Sequence, residues 1–94
     1  MKIVLKNGEE MSVIRISRNI DANTDMEQFM LTFKNVSLEE VAEKLTSETC
    51  GQITLKRDGG EDVLYSGYTI QNITENISDE MESIMASLTK EIGV

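Results

Sequence analysis

Ser78-Asp79-Glu80-Met81-Glu82-Ser83-Ile84-Met85-Ala86-Ser87-Leu88-Thr89-Lys90-Glu91-Ile92 is the stretch on which the fold turns, because it carries two periodicities at once. Ile70, Ile73 and Ile77, followed by Met81, Ile84, Met85, Leu88 and Ile92, fall on one helical stripe. Ile84, Ala86 and Leu88 also alternate with Ser83, Met85, Ser87 and Thr89, the spacing of a strand with one buried face. Ser78-Asp79-Glu80 serves equally as a helix cap or a hairpin turn. Periodicity alone leans towards a helix over 79–92; a strand there would make the chain almost entirely β.

Upstream, strand signals dominate. Ile3 and Leu5 alternate with Lys2 and Lys6 and run into Asn7-Gly8, a pair suited to a type I′ hairpin turn. Met11–Ser17 alternates again and is expected to pair back on the first strand. Residues 19–25 are rich in Asn and Asp and read as a loop. Phe29, Leu31 and Phe33 then alternate with Met30 and Thr32. That strand holds half of the chain's four aromatic residues and is the expected centre of the core. Ile53–Arg57, Asp58-Gly59-Gly60 and Val63–Tyr65 form a second hairpin, and Gly67 marks a bulge or a close backbone approach.

One helix is expected at about 37–47. Ser37 and Glu40 have the spacing of a capping box, and Val36 and Val41 that of a hydrophobic staple. Leu38, Val41, Ala42 and Leu45 form its apolar stripe, while Glu39, Glu40 and Glu43 face water.

The composition removes the usual catalytic players. The chain has 94 residues, enough for a single domain over 1–94, with no His, Trp or Pro and one cysteine, Cys50. Without His, and with its cysteine near a helix C-terminus, the chain has neither a ready general base nor an activated thiolate. Glu61/Asp62, Glu80/Glu82 and the helix acids sit on expected solvent faces, where carboxylates behave ordinarily. No catalytic, cofactor-binding or metal residue is expected. The Asp58–Asp62 turn offers oxygen ligands for a divalent ion, but not with the ligand spacing of an EF-hand loop.

The net charge of -8 is uneven: residues 1–18 sum to +2, while 19–50 and 51–94 each sum to -5. An acidic surface disfavours nucleic acid and anionic membranes and suits a protein partner. The first residues carry too short an apolar run for a signal peptide, and no stretch approaches a membrane span. No small-molecule substrate is evident. Association is therefore expected through surfaces, by edge-strand pairing and burial of apolar patches, with another protein or between copies. Met26, Met30, Tyr65 and Tyr68 are the candidate contacts. The rival expectation is an acidic inhibitor that mimics nucleic acid through Glu39, Glu40 and Glu43.

The layout resembles small proteins encoded in the tail-morphogenesis regions of prophages from Gram-positive bacteria. The resemblance rests on the strand into Lys6-Asn7-Gly8, the central strand before a short capped helix, and the hairpin leading into Ser66-Gly67-Tyr68-Thr69. It continues through the Ile77-Ser78-Asp79 turn ahead of Leu88-Thr89-Lys90-Glu91. It implies a tail-tube-like α+β architecture, mainly antiparallel β in a rolled sheet, small sandwich or barrel around one helix. Residues 69–77 and 82–90 would then form a final hairpin, which decides the opening ambiguity for strand. It also implies a non-enzymatic structural component, made in the bacterial cytoplasm and assembled into a phage particle.

Overall fold

The computed structural model describes residues 1–77 and 82–91. Its elements, in chain order, are β1 (Lys2–Val4), β2 (Glu10–Ser12), β3 (Arg15–Asp21), β4 (Met26–Phe33), α1 (Leu38–Lys44), β5 (Gln52–Lys56), β6 (Val63–Ser66), β7 (Thr69–Ile77) and β8 (Glu82–Glu91). They form two four-stranded antiparallel sheets, ordered β2-β1-β5-β6 and β3-β4-β8-β7. The final hairpin is therefore a pair of strands, and no helix occupies 82–91. The Ser78-Asp79-Glu80 turn, Met81 and Ile92 lie outside the described residues.

β8 is a strand because it has a partner on each side. It pairs Leu88 with Phe29, Ala86 with Leu31 and Ile84 with Phe33, so its inward row meets the aromatic row of β4 side by side. All six are buried, at 0–3% exposure. Burying such side chains stabilises by roughly 1.5–3 kcal/mol each for the larger ones, and a one-residue slip would turn the whole row to solvent. Non-local pairing thus outweighs a local helical stripe.

The second sheet faces the first across one core. Ile3, Leu5, Met11, Val13, Ile53 and Leu55 come from the first sheet and its turns, and are buried with the β4 and β8 row. The first hairpin turns differently from the expected type I′. Leu5 C=O accepts from Gly8 N–H, Leu5 N–H donates to Glu9 C=O, and only Gly8 (φ +90), not Asn7, has positive φ. The loop is a three-residue turn closed by a left-handed glycine.

The expected single strand over Met11–Ser17 is split. Met11 and Val13 point into the core, Ile14 is exposed, and Ile16 then points inward from the other sheet. The chain changes sheets and side-chain parity at Val13-Ile14. It returns to the first sheet through α1 and passes to the second again at Gly67 (φ +85), whose N–H donates to Gly51 C=O at 3.0 Å.

The loop expected over 19–25 is shorter than its composition suggests, since β3 runs on to Asp21. Helix α1 begins at the expected cap, with Ser37 Oγ accepting from Glu40 N–H at 3.1 Å, while the Glu40 carboxylate pairs with Lys44 Nζ at 3.4 Å in place of the return half of the capping box. It ends at Lys44 with Leu45 as its C-cap, short of 47. Val41 and Leu45 are buried, whereas Ala42 is exposed, so the apolar stripe is narrower than the sequence suggests.

The two sheets differ in length. Strands of the first have 3–5 residues and those of the second 7–10. The longer sheet consequently overhangs the shorter one. Ile20 and Ile77, both on its core-facing side, are left 67% and 66% exposed on its two edge strands.

Candidate functional site

Three features of the longer sheet hold the chemistry that the chain presents. The first is a polar cluster at one end of the core. Glu27 occupies an inward position of β4, in line with Phe29, Leu31 and Phe33, and is only 7% exposed. Its Oε1 accepts from Arg18 of β3, including a 3.2 Å bond from Nε, and its Oε2 accepts from the Tyr68 hydroxyl. Each carboxylate oxygen is thereby partnered, which is what permits a charge at this depth.

The Tyr68 hydroxyl and then Arg18 hold the Glu27 carboxyl below its usual range. Burial, then the bond to Glu27, pushes the Tyr68 phenol up to about 12. Arg18 Cζ lies 5.4 Å from the centroid of the Tyr65 ring, and Lys90 Nζ 5.4 Å from that of Tyr68. The cluster seals the end of the sandwich and leaves no unpartnered group to act as acid or base.

This arrangement corrects one candidate contact. Tyr68 is 3% exposed, its ring centroid 5.1 Å from that of Phe29, because the left-handed turn at Gly67 throws it into the core. It cannot meet a partner in this fold. Tyr65 is half-buried, 4.7 Å from Phe29, with one side under Arg18. Met26 and Met30 do share the outward face of β4, both half-buried, with Met85 of β8 on the same face. That face holds a groove of about 350 Å³, lined in part by Met30, Thr32, Ser83 and Met85, with Arg15 at its β3 side.

The second feature is a cleft of about 710 Å³ beside α1, whose lining includes Glu39, Glu40, Glu75, Glu82 and Lys34. It unites two of the three helix acids with acids from β7 and β8. Glu43 is exposed elsewhere on the helix.

The third is the pair of edges. β3 and β7 bound the sheet, and most of their residues are exposed. Among the described residues, β7 has no backbone hydrogen bond on the side away from β8. Neither strand contains Pro or Lys, and the nine residues of β7 include one charge, Glu75; against that, the seven residues of β3 include Arg15, Arg18 and Asp21, β7 shifts register between Ile70 and Asn72, and α1 packs against β7.

Cys50 is fully buried, with Sγ 3.5 Å from Tyr68 O and a thiol pushed up by desolvation, so it packs as a small apolar group. Among the described residues no three His, Cys, Asp or Glu side chains converge to hold a metal ion, and the Asp58–Asp62 turn gathers no such group. No helix among them is long and apolar enough to cross a membrane.

Of these features the sequence reading anticipated the methionine face and the helix acids. It missed Glu27, Arg18, Glu75 and the two exposed isoleucines. The alternation Glu27-Phe29-Leu31-Phe33 did carry a signal for Glu27: a charge in an inward row needs a partner. Comparison with known proteins finds no family model, no curated protein and no solved structure that matches this chain.

Proposed function

We propose that the protein is a non-enzymatic structural component that works by associating with further copies of itself, as a subunit of a phage or prophage tail or a related assembly. The observation that carries this reading is the state of β3 and β7. Both are long, exposed strands at opposite edges of one sheet, and they run in opposite directions because three antiparallel pairings lead from first to last. A second copy placed alongside in the same orientation therefore sets its β3 antiparallel to β7 of the first. The sheet continues without a break in its alternation. Such a contact is heterologous and repeats from copy to copy. Cytoplasmic synthesis in a bacterial host and incorporation into a particle accompany this reading through the resemblance in layout.

Sedimentation velocity across a broad concentration range tests it. Weight-average mass should rise with concentration beyond a dimer, because a head-to-tail contact leaves each growing end open. A chain that stays monomeric at the highest attainable concentration would remove the proposal.

A second reading is favoured by one observation, the acidic cleft of Glu39, Glu40, Glu75 and Glu82 beside α1. An acidic inhibitor would present it to a basic protein, and its affinity would fall steeply with added salt.

A further inference from the structure

Resting on the self-association reading, we infer that the contact has one register, in which Ile16, Arg18 and Ile20 of one copy face Ile77, Glu75 and Ile73 of the next. Continuing the sheet requires the core-facing row of β3 to lie beside the core-facing row of β7. Those rows are Ile16, Arg18 and Ile20 on β3, and Ile73, Glu75 and Ile77 on β7, as their pairing with β4 and β8 fixes. Registers that respect parity differ by steps of two residues.

Only one of them matches the two rows throughout. Shifted two residues one way, Arg18 faces Ile73 and Ile16 faces Glu75. Shifted two the other way, Arg18 faces Ile77 and Ile20 faces Glu75. In the inferred register, isoleucine faces isoleucine twice and the guanidinium faces the carboxylate. Opposite charges and β-branched pairs are the cross-strand combinations that stabilise a ladder. The outward row agrees, since Ser17 meets Asn76, Asn19 meets Thr74 and Asp21 meets Asn72, with no like charges opposed.

Two further features fit. Ile20 and Ile77 are the two most exposed large apolar side chains described, and this register brings each beside an apolar neighbour. Glu75 also opens onto the cleft that holds Glu39, Glu40 and Glu82, so an arriving Arg18 enters a field of its own opposite sign. Arg18 keeps its bond to Glu27 there, because its side chain is half exposed and a guanidinium has donors to spare.

Within one copy, the pairing aligns Ile16, Leu31, Ala86 and Ile73 in one row. The inferred contact sets Ile16 of the next copy against Ile77, a stagger of about one residue per strand across the four-stranded sheet, which is the shear of rolled sheets.

Disulfide trapping decides it. In a Cys50→Ala background, chains carrying Asn19→Cys are mixed with chains carrying Thr74→Cys under mild oxidation. Directly opposed Cβ atoms lie about 4.5–5.5 Å apart, close to disulfide reach, whereas diagonal neighbours lie about 7–8 Å apart. The mixed Asn19→Cys/Thr74→Cys adduct should dominate and be lost when the partner carries Asn72→Cys or Asn76→Cys instead. Mass that rises with concentration while a different pair is trapped, or none, overturns the register and leaves the self-association reading standing. A chain that remains monomeric overturns both.

Discussion

Replacing Glu75 and Ile77 together with lysine should abolish self-association while leaving the monomer folded. Both side chains are exposed and lie on the open edge of β7, where substitutions usually change stability by less than about 0.5 kcal/mol. At the contact, the double change removes one apolar pair, reverses an attractive charge pair and places ammonium groups where an incoming strand must lie. Like charges opposed across an interface cost several kcal/mol, and every 1.4 kcal/mol is about a tenfold change in affinity. A loss of at least about a hundredfold is expected in sedimentation equilibrium, with an unchanged urea midpoint. Unchanged association with an intact fold would show that β7 is not the contact.

The second large effect concerns the Glu27 cluster. Glu27→Ala should destabilise the fold by about 1–3 kcal/mol in urea denaturation, mainly because it strands the buried Tyr68 hydroxyl. The Arg18 end adds little, since its guanidinium is half exposed and returns to water. Adding Tyr68→Phe should recover part of the loss, because both members of the buried bond are then gone. Full additivity of the two changes would mean that the bond contributes nothing.

The pH dependence follows from the same groups. The folded state holds Glu27 below its ordinary value of 4.5, so its contribution is present above pH 4.5 and is lost as pH falls through the lowered value. The folded state holds Tyr68 protonated up to about 12 against an ordinary 10.0. Its contribution is complete below pH 10 and is lost as pH rises through about 12. Tyr68→Phe should erase the alkaline loss.

What the sequence makes legible follows from local physics. Alternation around Phe29–Phe33 locates the core strand, the Ser37–Glu40 spacing locates the helix start, and the glycine turns locate both hairpins. What stays hidden depends on distant partners. Asn19 and Asp21 read as loop formers, yet their backbones pair with Gln28 and Met26 while their side chains face solvent. The turn shrinks to Ala22–Asp25, with Asp25 at φ 53 and Asp21 Oδ1 accepting from Asn23 N–H. The adjacent apolar pair Val13-Ile14 is the visible trace of a chain changing sheets. It reads as continuous strand until the second sheet is in place. β8 was ambiguous for the same reason, because its helical stripe is local while its partner in β4 lies more than fifty residues away.

The candidate contacts divide along that line. Met26 and Met30 sit where alternation places them. Tyr68, which no alternation placed, follows the left-handed Gly67 into the core. Edge exposure, the property on which the proposed function stands, depends on strand order, and no short window of sequence records strand order.

Amide hydrogen exchange resolved by residue, at low and high protein concentration, tests edge-to-edge joining most directly. The outward amides of β3 and β7 should exchange quickly in the dilute protein and slow as mass rises, while those of β4 and β8, paired on both sides within each copy, keep their rates. Rising mass with β3 and β7 still exchanging freely would contradict the account.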